Sequence, residues 1–382
     1  MTPHALELDP EVIPAAAATG VAPEPLLHRL RALAHASLPL MYSGEARQYV
    51  FTVRRDAGGL KPEGLSDRYT AIALIGLAAD GFDQWSLPYD PVELANALVR
   101  KLPENGNLGD TALIAWAARA AGGDTATAWT HVERLFRARA SHPTVEVAWA
   151  LAAASMEGRV ASDSLRKALA ASVLEAWNPR SALFGHSAGG GGARSHVACF
   201  ADQVYPIFAL SRFAARHADL PALDAAARCA RRICGQQGAE GQWWWHYDHR
   251  TGEVIEGYPV YAIHQDAMGP MALRAVEEAG GGDFREFTSR GLRWLERSPE
   301  LRGGSLFDAA APMLWRKVAR REPMKAARYL QAACTRLHPR LRAPGLDVLF
   351  PATVIDFEDR PYHWGWFLYA WAARQDPRPG PR

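Results

Sequence analysis

The sequence predicts an all-α fold, an α/α toroid or (α/α)6-like barrel of about twelve helices. Of six clear helical segments, several are apolar almost all round, which is typical of helices that are buried on every side. Four other segments carry a single apolar stripe and a basic outer face. Because the two kinds alternate along the chain, we expect helical hairpins stacked in a ring, with the apolar helices at its centre.

Alanine, leucine and arginine, which favour helices, are abundant in both sets of segments. The segments predicted to form buried inner helices are, in chain order, "RYTAIALIGLAAD", "GDTALIAWAARAAGG", "VEVAWALAAAS", "DQVYPIFALSRFAARH", "QDAMGPMALRAVEEAGG" and "YHWGWFLYAWAARQ". Those predicted to form amphipathic outer helices are "LRKALAASVLEAW", "LDAAARCARRICGQQG", "FREFTSRGLRWLERS" and "MKAARYLQAACTRLH".

Turns of glycine, asparagine and proline recur along the chain, in "ENGNLGD", "ASHPTVE", "WNPRSALFGH", "GAEGQWWWHYD" and "LRGGSLFD". Successive copies stand about 35 to 75 residues apart, at or above the period of a helix pair with its loops. Strand patterns are scarce. "HYDHRTGEVIEGYP" and "DVLFPATVIDF" each fit a short hairpin or an extended loop.

The composition excludes several classes of protein. The chain has 382 residues and a formal net charge of +2, and it lacks the basic stripe of a nucleic-acid-binding protein. No apolar run is long enough to span a bilayer and the start does not read as a secretory signal, so we expect a cytoplasmic protein. Residues 1–25 are predicted to be a loose segment, followed by a single toroid domain over residues 26–382.

The segment "QGAEGQW", residues 237–243, has the form Q-x3-G-x-W and resembles the QW repeat of terpenoid cyclase and protein prenyltransferase toroids. "GGGGARSHVACFADQVYPIFAL" is similar to the glycine-rich entry into an inner helix in those proteins. The resemblance covers these turns only and implies an α/α toroid. The chain lacks the DxDD motif, the DDxxD motif and the zinc-ligand pattern of those enzymes, so their chemistry does not carry over.

A second resemblance lies in "GQWWWHYD" and "RPYHWGWFLYAW", where aromatic residues stand beside carboxylates. They resemble the sites of the (α/α)6 glycoside hydrolases, uronate lyases and sugar epimerases. "YPVYAIHQDAMGPMAL" is similar to a segment of uncharacterised bacterial proteins found near polysaccharide genes. These resemblances imply a carbohydrate-active enzyme.

The candidate catalytic residues stand at the starts of inner helices, whose N–H donors should gather at one end of the ring. Asp202 and Asp266 are embedded in apolar helices, and a buried carboxylate is costly unless it is paired or lines a wet cavity. We predict that both face one cavity as acid and base, with His264 and His246 as further proton-transfer residues. The alternative is that each carboxylate is buried in an ion pair with an arginine.

Aromatic rings and arginines are expected to bind the substrate. Arg68 and Arg360 suit an anionic group, although Arg360 also suits an ion pair with Asp359 or Asp356. Flat aromatic rings suit the faces of sugar rings, whereas Trp243 is assigned to packing. The predicted substrate-binding residues are Arg68, Tyr69, Gln203, Tyr205, Trp244, Asp248, Tyr258, Tyr261, Gln265, Arg360 and His363.

Other titratable residues receive a structural interpretation. Asp110, Glu146 and Asp308 are interpreted as helix caps or first-turn carboxylates. No metal site and no cofactor is predicted. The four cysteines match neither a zinc pattern nor a disulfide framework, and His246, Asp248, His264 and His363 lack the spacing of a zinc site.

We therefore expect a carbohydrate-active enzyme that acts on an oligosaccharide or polysaccharide intermediate by hydrolysis, uronate elimination or epimerisation. One alternative is a terpenoid or prenyl-transfer enzyme, which needs a mostly apolar central cavity. Another is a non-catalytic helical-repeat partner of a biosynthetic complex, which predicts a filled ring centre and a fixed partner for each of Asp202 and Asp266. Carboxylates roughly 5 to 10 Å apart over an open cavity would indicate a glycosidase-like enzyme.

Overall fold

The helices of the computed structural model follow the predicted order. The structure describes residues 24–158, 160–189 and 191–372. Within these ranges the helices are α1 (Glu24–Ser37), α2 (Asp67–Asp80), α3 (Pro91–Arg100), α4 (Leu108–Ala121), α5 (Ala126–Arg137), α6 (Thr144–Met156), α7 (Asp163–Glu175), α8 (Ala201–His217), α9 (Leu220–Gly235), α10 (Gly269–Glu278), α11 (Arg285–Arg297), α12 (Ala326–Leu337), α13 (Leu346–Leu349) and α14 (Pro361–Trp371). A π-helical turn, His264–Met268, leads directly into α10.

Six helices form a closed inner ring. Each packs against the next in the order α2, α4, α6, α8, α10 and α14, and α14 packs against α2. These are the six segments that the sequence predicts to be buried all round, and their middle turns are buried. The predicted α/α toroid is confirmed.

The helices α1, α3, α5, α7, α9 and α11 lie outside this ring, and each bears a single buried stripe. In α11, for example, Leu292 and Leu295 are buried while Glu296 and Arg297 are exposed. This is the expected result of packing one face of an amphipathic helix on a ring of apolar helices.

Short strands occupy the loops that lead into the inner helices. They are β1 (Tyr42–Ser43), β2 (Gln48–Asp56), β3 (Gly59–Leu65), β4 (Trp177–Asn178), β5 (Leu183–Phe184), β6 (Val197–Cys199), β7 (His246–Asp248), β8 (Val254–Glu256), β9 (Val260–Tyr261), β10 (Lys317–Ala319), β11 (Val354–Asp356) and β12 (Glu358–Asp359). The hairpin predicted in "HYDHRTGEVIEGYP" is β7–β8. The longer hairpin β2–β3 is not predicted, because charged and small residues interrupt the alternation of both strands.

The strands join successive loops into one structure. β12 pairs with β2, with Asp359 opposite Val53, and so connects the loops before α14 and α2. β9 pairs with β10, and β6 pairs with β7, with Cys199 opposite His246. The paired loops lie over the N-terminal ends of the inner helices, and we call this end the mouth of the ring.

Helix α12 is predicted to be an outer helix of the ring, and this prediction is wrong. α12 packs on β8 instead, where Ala332 forms a small apolar cluster with Val197 and Ile255. Its amphipathic pattern is correct, but the surface that it covers is a sheet at the mouth and not an inner helix.

Two glycines allow the ring to close. Gly76 in α2 faces Gly365 in α14, and a Cβ atom on Gly76 would overlap the carbonyl oxygen of Gly365. A Cβ atom on Gly365 would likewise overlap the carbonyl oxygen of Ile72. The first and last inner helices can therefore approach this closely only because both positions lack a side chain.

Aromatic side chains fill the centre of the ring. Trp116 of α4 stacks on Phe208 of α8, with ring centroids 6.1 Å apart, and meets Tyr369 of α14 edge to face at 5.2 Å. Trp366 lies 5.8 Å from Trp116. Since α4, α8 and α14 are not neighbours in the ring, these contacts cross its centre.

Two further predictions concern the chain as a whole. The loose segment predicted at residues 1–25 lies outside the described residues except for Glu24 and Pro25, with which α1 begins. Among the described residues, no helix combines the length and the apolar character that a bilayer crossing requires.

Candidate functional site

A cleft of about 170 Å³ opens at the mouth of the ring. Its walls are formed by residues near the starts of α2, α6, α8 and α14, by the π-helical turn, and by three residues of the loops at the mouth. The lining residues are Arg68, Tyr69, Ile72, Val145, Trp149, Ala201, Tyr205, Trp245, Tyr261, His264, Met268, Arg316 and Tyr362. Five of the predicted site residues are thereby brought together: Arg68, Tyr69, Tyr205, Tyr261 and His264.

Aromatic rings form most of the cleft wall and hold one another in place. The contacting pairs are Tyr69 with Tyr362, stacked at 4.6 Å, Trp149 with Tyr205, edge to face at 5.1 Å, and Trp245 with Tyr261, tilted at 4.8 Å. Such contacts fix ring orientation, so the cleft presents preformed flat surfaces.

Two arginines, Arg68 and Arg316, line the cleft. Arg68 is paired with Asp110 and lies over the Trp149 ring, 5.2 Å from its centroid. Arg316 lies 5.1 Å over the Tyr261 ring and donates to Glu358 at 3.1 Å. Each guanidinium is thus held by a carboxylate behind it and an aromatic face beside it, which leaves its remaining N–H donors for a ligand.

His264 lines the cleft with little solvent contact, at 3% exposure. Its ring contacts Phe200 at 4.5 Å and Tyr261 at 4.9 Å and stacks on Trp245 at 5.7 Å. Burial, together with the charges of Arg316 and His363, lowers the pKa of His264 well below its usual range. The imidazole is therefore neutral at pH 7 and can accept a proton.

Several polar atoms around the cleft are buried without a hydrogen-bond partner among the described residues. They are Nε1 of Trp149, Nε1 of Trp245, Nδ1 of His264 and Nε of Arg316. Buried polar groups are normally paired, and an unpaired one costs about 1 to 3 kcal/mol. Three of these four atoms are N–H donors, which suits a ligand rich in hydroxyl or carboxylate oxygens.

Two carboxylates stand behind the cleft lining at the starts of α4 and α6. Asp110 pairs with Arg68, and Glu146 accepts a hydrogen bond of 2.9 Å from Nδ2 of Asn107, the cap of α4. Both are first-turn carboxylates, as predicted. Asp308 lies in a loop, where it accepts hydrogen bonds from two backbone N–H groups and pairs with Arg55.

Asp202 and Gln203 do not line the cleft, contrary to prediction. Asp202 is buried at the start of α8, where it accepts a 2.7 Å hydrogen bond from the Cys199 N–H and pairs with His186. Gln203 bonds both the N–H and the carbonyl of Phe184. Asp202 therefore fixes β6, and Gln203 fixes β5, to the start of α8, and these contacts satisfy the polar groups of both side chains.

Three further predicted site residues lie outside the cleft: Asp266, Gln265 and His363. Asp266 is fully buried and both its oxygens accept hydrogen bonds from Nε2 of His363, at 2.8 and 3.0 Å. Gln265 accepts from the Trp243 N–H and donates to the Tyr261 carbonyl. The prediction that Asp266 faces an open cavity is wrong, because its carboxylate is fully buried against His363 of the neighbouring inner helix α14. The partner is a histidine and not the arginine of the alternative.

The roles of the three consecutive tryptophans differ in part from those predicted. Trp243 is buried, in agreement with its assignment to packing. Trp245, and not Trp244, lines the cleft. Trp244 packs edge to face on Tyr258 at 5.9 Å, and Tyr258 donates to Glu300 at 3.0 Å, so neither predicted substrate-binding ring reaches the cleft.

The hairpin residues His246 and Asp248 lie beside the cleft and not in its wall. Asp248 is fully buried and pairs with Arg250 at 2.7 Å, so it supports the turn of the hairpin. His246 contacts Trp245, with ring centroids 5.2 Å apart, and its Nδ1 has no partner among the described residues. Burial and the charges of Arg194 and Arg328 lower the pKa of His246 to about 3.

Arg360 is held in an ion pair and does not line the cleft. Its partner is Glu358, at 2.8 and 3.1 Å, and not Asp359 or Asp356 as the sequence suggests. Arg360 also donates to the hydroxyl of Tyr69 at 3.1 Å. It therefore supports the cleft from behind instead of binding substrate.

Sequence reasoning missed Arg316, Trp149 and the lining role of Tyr362. Arg316 lies in the segment before α14, where no helical period marks it, although the alternation in "MLWRKVAR" is a strand signal. Within the described residues, no group of three or more histidine, cysteine or acidic side chains is arranged to hold a metal ion.

Solved structures share this fold. No protein-family model matches the chain, and no curated protein matches it in sequence. An unsaturated glucuronyl hydrolase specific for heparin is 11% identical with a TM-score of 0.55, over 91% of this chain and 96% of that one. The unsaturated glucuronyl hydrolase from Bacillus sp. GL1, responsible for the degradation of glycosaminoglycan, is 13% identical with a TM-score of 0.53, over 91% and 95%. A wild-type glycosidase is 12% identical with a TM-score of 0.52, over 92% and 98%. At these identities the similarity shows the shared helical toroid.

Proposed function

We propose that this protein is a carbohydrate-active enzyme of the hydrolase, lyase or epimerase type, and that its cleft binds one uronate ring of an oligosaccharide. The observation that carries the proposal is the combination of aromatic walls, two arginines and unpartnered N–H donors around one neutral histidine. The names of the structural neighbours, two of which act on unsaturated glucuronyl groups, point to the same class of substrate.

The size and walls of the cleft suit a single sugar ring. Its volume of about 170 Å³ is below the ~300 to 1,000 Å³ of pockets for drug-sized ligands. Tyr362, Trp245 and Tyr261 offer aromatic surface for the C–H groups of a pyranose, and Tyr69, which is stacked between Phe51 and Tyr362, supports Tyr362. The rest of the oligosaccharide would then extend out of the mouth.

The arginines supply the preference for a carboxylate. Arg316 and Arg68 both reach the cleft, and a guanidinium can bind a carboxylate through two parallel hydrogen bonds. Glu358 and Asp110 behind them partly neutralise the charge, so that the empty cleft is not strongly repulsive. A neutral sugar would offer only hydroxyl groups to those guanidinium N–H donors that Glu358 and Asp110 do not already bind.

Proton transfer is common to all three reaction types, and His264 is the group assigned to it. Its imidazole is buried among aromatic rings, and its lowered pKa favours the neutral form, which has a lone pair free to accept a proton from a bound substrate. Asp110 is the second titratable candidate, since it contacts the lining residue Arg68 and its side chain is 20% exposed. A base beside an arginine can remove the proton on the carbon next to a substrate carboxylate, because the arginine stabilises the negative charge that develops. A base together with an acid can catalyse hydrolysis.

The two alternatives differ from the proposal in testable ways. The non-catalytic alternative predicts a filled ring centre and fixed partners for Asp202 and Asp266, and all of these are present. It does not account for an open cleft that is lined by two arginines, a histidine and several aromatic rings. A terpenoid enzyme needs an apolar cavity in the ring centre, where this protein has packed tryptophan and tyrosine rings.

The decisive experiment incubates the full chain with a panel of uronate-containing oligosaccharides and their neutral counterparts. New reducing ends report hydrolysis, the absorbance of an unsaturated uronate reports elimination, and NMR reports epimerisation. Turnover of acidic substrates that is lost in Arg316→Ala, but kept in the nearby Arg321→Ala, is the expected result. Binding without any turnover would favour the non-catalytic alternative, and uptake of a prenyl diphosphate alone would overturn the proposal.

A further inference from the structure

The turn at residues 237–243, which resembles a QW repeat, forms a second pocket that the proposed function does not use. The pocket has a volume of about 180 Å³ and lies between this turn and the second half of α11. The three arginines in its lining are spaced three and four residues apart in α11, so they lie on one face of the helix. We call it the arginine pocket, and its lining includes Glu240, Arg290, Arg293, Trp294, Arg297 and Pro299.

The turn is attached to α11, so the pocket is preformed. Nε2 of Gln237 donates a hydrogen bond of 2.9 Å to the Phe287 carbonyl, and Nη2 of Arg290 donates one of 3.0 Å to the Gly238 carbonyl. Gly241 has a φ of +104°, and a Cβ atom there would overlap the carbonyl oxygen of Arg290. The turn and the helix therefore touch backbone to backbone, and a ligand would enter a pocket whose walls are already in place.

The positive charges of the pocket are only partly balanced. Arg293 pairs with the exposed Glu286 at 2.8 Å. Arg290 and Arg297 have no carboxylate within 4.0 Å among the described residues. Glu240 lines the pocket but forms no ion pair with a described arginine. Because like charges three or four residues apart on a helix repel one another, an anion bound between these arginines would stabilise the arrangement.

The arginine pocket lies at the same end of the ring as the cleft. α10 begins at the mouth, and α11 returns from the opposite end and finishes beside the pocket. Glu300, next to the lining residue Pro299, accepts hydrogen bonds of 2.9 Å from Nε1 of Trp294 and of 3.0 Å from the hydroxyl of Tyr258. Tyr258 belongs to the loop between β8 and β9 at the mouth. A polysaccharide that extends out of the cleft therefore emerges at the end of the molecule that carries the pocket.

We propose that the arginine pocket binds a carboxylate or sulfate group on the part of an acidic polysaccharide that extends out of the cleft. This inference rests on the proposed function and narrows its substrate class to chains that carry negative groups on several residues. Arg290 and Arg293 each use one nitrogen in the contacts above, and Arg297 uses none within the described residues, so all three retain N–H donors. Guanidinium groups bind oxyanions through charge-assisted hydrogen bonds, which are stronger than those to the hydroxyl groups of a neutral chain.

A negative group on a chain suits this pocket better than a free anion does. The Arg297 side chain is exposed and those of Arg290 and Arg293 are half-buried, so water and salt weaken the attraction for a single small ion. A chain already held in the cleft presents its other negative groups at a high effective concentration, which makes the second contact intramolecular. The affinity should therefore rise with the length of the chain.

The test is isothermal titration calorimetry of the full chain with a trisaccharide and a dodecasaccharide of galacturonic acid, and with inorganic sulfate. We expect the wild type to bind the dodecasaccharide about tenfold more tightly than the trisaccharide. Arg297→Ala should remove most of this difference and leave the trisaccharide affinity unchanged. The matched control is Arg285→Ala, which removes an exposed arginine from the first turn of the same helix and should change neither affinity.

A second variant, Arg293→Ala, should also weaken the binding of the dodecasaccharide, and unchanged melting temperatures would show that neither substitution acts through folding. Equal affinities for the two oligomers would overturn the arginine pocket and leave the proposed function standing. The same conclusion holds if Arg285→Ala weakens the dodecasaccharide as much as Arg297→Ala does, since the attraction would then be a general effect of charge.

Two further outcomes separate the pocket from the cleft. Sulfate binding that Arg297→Ala abolishes, without any preference for the longer oligomer, would assign the pocket to a free anion and overturn its role in substrate binding. If Arg316→Ala leaves the trisaccharide affinity unchanged, the uronate site in the cleft is overturned instead. The arginine pocket would then stand only if Arg297→Ala still weakened the dodecasaccharide.

Discussion

His363 donates through Nε2 to both oxygens of Asp266, at 2.8 and 3.0 Å, and both side chains are buried. The two residues are 97 positions apart and join the π-helical turn before α10 to α14. The carbonyl of Asp266 also accepts a hydrogen bond from Nε1 of Trp371. The pair therefore fastens two neighbouring inner helices and contributes to stability.

Asp266→Asn should lower the free energy of unfolding by about 3 kcal/mol, because it leaves His363 buried without its charge partner. Chemical denaturation followed by circular dichroism measures the change. The control is Asp224→Asn, which removes an exposed helical ion pair with Arg228 and should cost under about 0.5 kcal/mol. If Asp266→Asn abolished turnover and left stability unchanged, Asp266 would be a catalytic residue and not a structural one.

The same pair predicts a pH dependence of stability. Burial acts to lower the pKa of His363, but the charge and hydrogen bonds of Asp266 outweigh it and raise that pKa. Its stabilisation is thus complete below the unfolded pKa of about 6.5 and is lost as the pH rises through the folded pKa. We expect the unfolding free energy to fall as the pH rises above about 6.5, and to fall less in His363→Gln.

The titration of Asp359 also makes stability depend on pH, and its contribution must be distinguished from that of His363. Burial raises the pKa of Asp359 to about 7, so the fold disfavours its ionised form and loses stability between the unfolded value of about 3.9 and pH 7. This window lies mostly below that of His363. A decline in wild-type stability confined to the acidic side of pH 6.5 would contradict the assignment of the alkaline decline to His363.

Ring closure depends on the two facing glycines. Gly76→Ala and Gly365→Ala should each destabilise the fold by about 1 to 3 kcal/mol or more, since the added carbon overlaps a backbone carbonyl. Gly235→Ala at the end of α9 is the control, because a Cβ atom there meets open space, and it should be neutral or stabilise by about 0.5 kcal/mol. Melting temperatures compare the three variants, and equal effects would contradict the close approach of α2 and α14.

The tryptophan run offers a matched pair of variants. Trp245→Ala should weaken the binding of an acidic sugar about tenfold, because it removes a wall of the cleft. Trp244→Ala should leave the affinity unchanged and lower stability, since Trp244 packs against Tyr258 outside the cleft. Titration calorimetry and thermal melting measure both quantities. A larger loss of affinity in Trp244→Ala would show that the cleft is not the binding site.

His264→Gln should reduce kcat by about two orders of magnitude or more if His264 transfers the proton. Because its pKa is lowered, the imidazole stays neutral well below pH 6.5, so the acid limb of the kcat/KM profile should lie below that value. The matched control is His186→Gln at the exposed end of the Asp202 pair. An acid limb near pH 6.5 that persists in His264→Gln would assign the proton transfer to another group.

The inner helices could be predicted because they are buried on all sides, a property that composition reveals directly. The site was harder, because a polar residue in a buried helix has two explanations that local sequence does not separate. Asp266 meets His363 and Gln203 meets the backbone of Phe184, and both contacts depend on how distant segments pack. Arg68, Tyr69 and His264 were identified because the position at the start of an inner helix itself points to the mouth.

Residues outside the helical repeat were predicted least well. Arg316 belongs to the segment between α11 and α12, where short strands and turns follow no long period. Trp244 and Trp245 are indistinguishable by composition, and the choice between them depends on the register of β7 after an irregular turn. Trp149 was missed because its helix is apolar throughout, so nothing marks its ring as the one that reaches the opening.

The contact of Gly76 with Gly365 also determines the stage of protein synthesis at which the ring can close. α2 leaves the ribosome early, yet the helix that covers its open flank is encoded at residues 361–371. Contacts between such distant residues are slow to form, and the unfinished ring exposes apolar surface during that time. A nascent chain that stops short of residue 361 would have neither a closed barrel nor Tyr362, so folding and the cleft should be completed together at the last inner helix.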